Sequence, residues 1–232
     1  MERILQATSD GSHTIAIPSM EVTYHSKHGA IQESMHVFIE AGWKQKVTRP
    51  DESINILEIG FGTGLNALLT LMEATTQTVW YESLEAYPID LQTAGQLNYC
   101  QLLHRPDLQH TFLEMHTGEW NKPLAIAPNF TLCKRHTKLQ DYQQHDKKFD
   151  LVYFDAFAPK VQPELWSTEI FQKIFNLLKP GATLVTYCSK GEVRRALKAA
   201  GFMVEKIPGP PGKREMVRAR KAATTNAGQS SA

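Results

Sequence analysis

The sequence predicts an α/β protein: a doubly wound, mostly parallel sheet with an antiparallel edge and a small N-terminal extension. Three observations carry this. From Asn55 onward, short apolar runs alternate with amphipathic helical segments four or five times. The first run, NILEIG, opens directly into a glycine turn and a helix. The last two runs, FMVEKI and EMVRA, are separated only by PGPPGKR, too short for a parallel crossover, so they pair antiparallel.

In chain order, IAIPSMEVTYHS alternates apolar and polar residues and reads as strand or hairpin. Ile31, Met35, Phe38 and Ile39 recur at helical spacing, and the Arg49-Pro50 step marks a boundary. NILEIG is a buried parallel strand, GLNALLTLMEA a helix, TVWYESLEA a strand and IDLQTAGQLNYCQLL a second helix. Residues 121–128 read as a loop before the weaker strand FTLCKRH. KFDLVYFDAF is the clearest strand. The helix ELWSTEIFQKIFNLL follows, stopped by Lys179-Pro180-Gly181. TLVTYCS is the next strand, and EVRRALKAAG a helix ending in glycine. The expected organisation is an extension over 1–50, a catalytic domain over 51–221 and a disordered tail over 222–232, where TTNAGQSSA is small and polar.

With 232 residues, 42% of them hydrophobic, the chain can bury a core as one large or two small domains. Lys and Arg number 25 against 24 Asp and Glu, so a general coat of nucleic acid is disfavoured, while a local basic patch for one folded RNA is not. Cys100, Cys133 and Cys188 lie far apart, without zinc spacing, which fits a reducing cytoplasm. No stretch has the length of a bilayer span or the pattern of a signal peptide.

LEIGFGTGLNALL places Gly60, Gly62 and Gly64 between strand and helix, at the sheet edge where α/β folds bind ligands. A dinucleotide fingerprint requires glycine at 65, where this chain has Leu65. S-adenosylmethionine carries no phosphate; it has an ammonium, a carboxylate and a sulfonium. An acid at the strand tip, Glu58, suits the ammonium, and three glycines let the loop wrap the amino-acid portion. Glu85 ends the next strand and is placed for the ribose hydroxyls, with Glu82 inside that strand as its competitor. A glycine-rich turn of no function is the plainer alternative.

In VYFDAFAP, Asp155 ends a buried strand and Pro159 stops regular structure. Asp155 either caps the next turn or does chemistry. Attack on a sulfonium methyl must be in line, with a free lone pair on nitrogen. A carboxylate beside the methyl accepts an N–H, aims the lone pair and removes the proton. Phe157 either packs against a base, shapes the pocket or belongs to the core.

These stretches, with SLEAYP, YFDAFAPKVQPELW, LVTYCSKGEVRRALKAAGF, PGPPGKREM and TYHSKHGAIQESMHVF, resemble the methyltransferase part of MnmC and its stand-alone form, MnmD, from about Val22 to Ala219. The resemblance implies a class I, Rossmann-like methyltransferase that uses S-adenosyl-L-methionine. It implies N-methylation of 5-aminomethyl-2-thiouridine at the tRNA wobble position, with Asp155 as the catalytic acid. The fused flavin-dependent oxidoreductase domain of the bifunctional relatives has no room in this chain. Relatives often carry an acid after the third strand. Here His136-Thr137-Lys138-Leu139 stands there, so the adenine-side contact falls to Asp141 or to a backbone amide.

Lys213 and Arg214 are either a solvated edge strand or groups that contact phosphate or orient the modified uridine, while Arg194 and Arg195 read as surface charges. Tyr24 and Glu33 belong to a segment expected to fold across the cofactor mouth. His25 and His28 form an HxxH with no third ligand in view, so no metal is expected. Two rivals stand beside this reading. An aminopropyltransferase-like or other small-amine enzyme would carry a second acid shortly after Asp155, where this chain has Phe157 and Ala158. A non-catalytic RNA-binding module would not need the intact glycines and Asp155.

Overall fold

The structure is a computed structural model that describes residues 2–143 and 148–223. Beyond 223 the expected tail lies outside the described residues. The strands are β1 (Ile4–Ala7), β2 (His13–Ile17), β3 (Val22–Thr23), β4 (Ser53–Ile59), β5 (Thr78–Glu85), β6 (Pro123–Ala127), β7 (Phe130–His136), β8 (Phe149–Phe154), β9 (Leu178–Thr186), β10 (Met203–Pro208) and β11 (Glu215–Arg220). The α-helices are α1 (Ala30–Ser34), α2 (Lys44–Lys46), α3 (Leu65–Glu73), α4 (Leu91–Gly95), α5 (Tyr99–Leu102), α6 (Gln109–Thr117), α7 (Thr168–Leu177) and α8 (Gly191–Ala199).

The main sheet runs β10-β11-β9-β8-β4-β5-β7-β6. The five strands from β9 to β7 are parallel, β11 and β10 close one edge antiparallel, and β6 closes the other. Every residue of β8 is buried, as befits a central strand covered on both faces. Alternation divides the core: Ile56, Leu151 and Tyr153 pack on one face, and Leu57, Val152 and Phe154 on the other. The chain leaves β4 toward β5 on one side, while β8 lies on the other. Their carboxyl ends therefore flank a topological switch point, where such sheets open a crevice.

The N-terminal residues form a three-stranded antiparallel sheet, β1-β2-β3. The helix expected after Gly29 begins as α1, widens into π-helical turns over Met35–Trp43 and closes as α2. Val37, Phe38, Ile39 and Trp43 join the core of the first face. Gly42 allows this close approach, since a Cβ there would lie 3.1 Å from Val185 and 3.2 Å from Tyr153.

Four local expectations are corrected. IDLQTAGQLNYCQLL is two short helices, α4 and α5, interrupted between Gly95 and Asn98. Residues 121–128 are not a loop: Pro123–Ala127 is β6, which satisfies the otherwise open edge of β7. α6 precedes it, where no element was expected. Lys179-Pro180-Gly181 lies inside the start of β9, and α7 ends two residues before it, at Leu177.

Candidate active site

A cavity of about 370 Å³ opens at the switch point, within the roughly 300–1,000 Å³ usual for small-molecule sites. Its floor is the glycine turn. Gly60, Gly62 and Gly64 all have positive φ, a region that costs any other residue strain. The Gly60 N–H donates to Leu84 O at 2.9 Å, and that of Gly62 to Glu85 Oε2 at 2.9 Å. A Cβ on Gly60 would come within 3.0 Å of Asp155 O, so the turn and the end of β8 approach as backbone on backbone. Gly60 and Gly62 line the cavity, and Gly64 does not. Gly64 is bare for a different reason: a Cβ there would meet His116 Nε2 at 3.0 Å, the nitrogen that donates to Thr63 O and braces the turn. Burial lowers the His116 ring to about 4, so it braces as a neutral group.

Glu85 is in the cavity wall. Its Oε1 accepts from Tyr87 N at 2.8 Å and its Oε2 from Gly62 N, and a carboxylate has about four acceptor positions, so it retains capacity for hydroxyls. Glu82 is occupied elsewhere: buried outside the cavity wall, it accepts from Arg135 Nε, Trp80 Nε1 and Tyr142 OH.

Asp155 lies at the carboxyl end of β8, partly exposed and lining the cavity. Desolvation, with the charge of Glu33 nearby, pushes its carboxyl up to about 7, while an Asn66 hydrogen bond and the Lys213 cation oppose the rise. Asn66, in the first turn of α3, is 4% exposed. Its Nδ2 donates to Asp155 Oδ2 at 3.0 Å and to Glu58 Oε1 at 3.1 Å. Ser83 Oγ donates to Glu58 Oε2 at 2.6 Å. The expectation that Glu58 meets the ammonium is corrected on these contacts. Glu58 is fully buried, lies off the cavity wall and is pushed up to about 8 by desolvation, so near neutral pH it is mostly an uncharged anchor for Asn66.

The outer wall comes from the N-terminal segment, through Arg3, Ile17, Met20, Tyr24 and His25. Of the segment expected over the cofactor mouth, Tyr24 and His25 line this wall and Glu33 does not. Tyr24 packs edge-on against Phe157 with ring centroids 5.3 Å apart and sits over Gly62, where a Cβ would lie 3.2 Å from its ring. Phe157 lines the cavity on a fixed backbone: its N–H donates to Gln162 Oε1, and its carbonyl accepts from Trp166 Nε1. Arg3 donates from Nη1 to Pro88 O at 2.7 Å and from Nη2 to Tyr87 O. His25 is buried, lowered to about 4 by desolvation, and lies beside Thr14 and Thr63. Among the described residues no group of three His, Cys, Asp or Glu could hold a metal ion.

Glu33 and Lys213 pair with each other instead of lining the cavity. Lys213 Nζ donates to Glu33 Oε1 at 2.6 Å and lies 3.9 Å from the centre of the Tyr187 ring, whose hydroxyl donates to Ala156 O. Glu33 Oε2 accepts from Ser26 N at 2.6 Å. Arg214 is exposed and off the cavity wall. Asp141 is also exposed and outside the wall, which on that side is made by residues 137–140. Sequence reading missed Asn66, Arg3 and Tyr187. Only Asn66 left a signal, as the one polar residue in the otherwise apolar GLNALL.

Residues 112–222 match the S-adenosyl-L-methionine-dependent methyltransferase family Methyltransf_30. The tRNA 5-methylaminomethyl-2-thiouridine biosynthesis bifunctional protein MnmC of Pseudomonas fluorescens is 32% identical, over 84% of this chain and 31% of its own. That of Cupriavidus necator is 29% identical, over 86% of this chain and 32% of its own. The chain thus spans about a third of the length of these curated relatives. The crystal structure of MNMC2 from Aquifex aeolicus superposes with a TM-score of 0.75 at 24% identity, over 98% of this chain and 73% of that one. The glycine cradle and the carboxylate on the next strand fit the same cofactor, so fold, floor and matched segment point one way: the fold is that of a class I, Rossmann-like protein, residues 112–222 carry the match to the S-adenosyl-L-methionine-dependent methyltransferases, and the chain is similar to a segment of the MnmC proteins.

Proposed function

We propose that this chain methylates the primary amine of 5-aminomethyl-2-thiouridine at the wobble position of tRNA, giving the 5-methylaminomethyl product. The observation that carries the reading is Asp155: a carboxyl at the cavity, near-neutral in affinity for protons, beside the glycine floor. The substrate class is supported by what the related MnmC proteins are named for.

S-adenosyl-L-methionine, when bound, supplies a methyl group on a sulfonium. Gly60 and Gly62 would hold its amino-acid portion by close backbone approach, and Glu85 its ribose hydroxyls. The remaining work belongs to the protein. Asn66 engages Asp155 Oδ2, so Oδ1 is the oxygen that meets the amine. Asp155 accepts an N–H there, turns the lone pair toward the methyl and takes the proton that nitrogen sheds as it gains its new bond. A base titrating near 7 is matched to that transfer at neutral pH. Tyr24 and Phe157 offer the incoming base an aromatic wall.

In this reading 51–221 carries the chemistry, with 1–50 as its cover; the work takes place where tRNA matures, in the cytoplasm. Among the described residues no helix is long and apolar enough to cross a membrane. Nucleoside mass spectrometry of tRNA from a strain lacking the protein tests the substrate. Accumulated 5-aminomethyl-2-thiouridine is the expected result; unchanged wobble nucleosides would overturn it.

A further inference from the structure

We propose that Lys190, Arg194, Arg195 and Arg214 form the surface that grips the phosphodiester backbone of the RNA beside the target nucleotide, an inference that rests on the reading of RNA as substrate. The four side chains come from two separate segments. The turn after β9 supplies Lys190, the first turns of α8 supply Arg194 and Arg195, and the loop between β10 and β11 supplies Arg214.

Several contacts bring them together. At Gly191, a Cβ would lie 3.2 Å from Arg195 Nη1 and 3.9 Å from Arg194 Nη2. Arg194 Nε donates to Ser189 O at 3.1 Å. α8 packs against β10, and the loop from β10 to β11 carries Arg214, so Arg214 lies on the same side as Arg194, with the Glu215 carboxylate within electrostatic reach of both. The acids in the patch are few. Glu215 is already held by Lys206 at 2.7 Å, and Glu192 reaches Lys190 only at 3.9 Å. The four cations of the patch therefore face two carboxylates, one of them already held by Lys206, on a chain whose overall charge is only +1.

Position connects this patch to the chemistry. β9 lies beside β8, with Val185 opposite Tyr153, so the turn carrying Lys190 and the end carrying Asp155 leave the same edge of the sheet. Tyr187 bridges them through its hydroxyl to Ala156 O. Lys213, the other cation of the 213–214 pair, is committed to Glu33, whereas Arg195 and Arg214 present exposed guanidinium forks. Such forks suit phosphate oxygens. Contacts of this type fix where a strand lies without reading its sequence, which is what an enzyme needs to bring one nucleotide to a fixed carboxylate.

The test compares the parent with Arg195→Gln/Arg214→Gln, two exposed positions outside the core. Binding of a tRNA is followed by fluorescence anisotropy across a salt series, and methyl transfer by steady-state kinetics. The salt dependence of log affinity is expected to become shallower by about two, one unit per lost phosphate contact. KM for tRNA rises with kcat held, and calorimetric affinity for S-adenosyl-L-methionine stays unchanged. A parent that binds tRNA, with a variant of unchanged slope and KM, overturns the surface. So does an equal loss in Lys46→Gln/Arg49→Gln, at the opposite edge ahead of β4, which would mark diffuse charge. A parent that binds no tRNA at any salt overturns the reading beneath it, and the surface with it.

Discussion

The two sides of the crevice are built from different materials. On the β4–β5 side, main-chain N–H groups, bare glycines and one carboxylate shape a floor. On the β8–β9 side, the working groups are charged side chains: Asp155, Glu33 and Lys213. The first arrangement holds a ligand by shape, since a glycine backbone admits close approach that no side chain allows. The second sets a proton affinity, since each charge shifts its neighbour. Damage on the first side should therefore appear in cofactor affinity, and damage on the second in rate and pH.

The sharpest break is Asp155→Asn. It keeps the volume and removes the base, so the rate should fall by about 10²–10⁴ while calorimetry finds cofactor affinity within a few-fold of the parent. A rate close to the parent's would take Asp155 out of the chemistry. On the other side, Gly62→Val forces a β-branched residue to φ 53° against Tyr24. Strain of about 1–3 kcal/mol corresponds to roughly five- to 150-fold weaker cofactor binding, with any captured cofactor still turned over. Binding at parental affinity would contradict the placement of the floor.

A pH profile sharpens the comparison further. Asp155 must be ionised to accept a proton, so kcat/KM should rise through about 7 and then level off. Lys213 holds that carboxyl down and Glu33 pushes it up. Lys213→Met should move the rising limb to higher pH; a limb that stays in place would separate Lys213 from Asp155.

The smallest effect concerns Glu58. Its folded pKa, about 8, exceeds its unfolded value of 4.5. The native state then binds more protons between these values, and stability falls as pH rises through that window. Glu58→Gln should flatten the decline of Tm between pH 5 and 8, with little change in rate at pH 7. A parallel decline in both proteins would mean that Glu58 is ionised when folded.

The features legible in the sequence were those made by neighbours in the chain. The glycine turn, Glu85 at the end of its strand and Asp155 before Pro159 are each set by a few consecutive residues. What stayed hidden depended on distant partners. Lys213 lies 180 positions from Glu33, and nothing local says that the two neutralise each other. Glu58 looked available because its position on the strand was right, but the strand alternation turns it under α3, where Asn66 and Ser83 take both oxygens. β6 was invisible for a related reason: PLAIA becomes a strand because β7 offers it an edge.

The Glu33–Lys213 pair also has a bearing on how the protein is made. A ribosome releases Glu33 180 residues ahead of Lys213, so over that stretch of synthesis this acid lacks its counter-ion. The electrostatic setting of Asp155 is thus complete only once the segment carrying Lys213 has emerged and folded back onto Glu33.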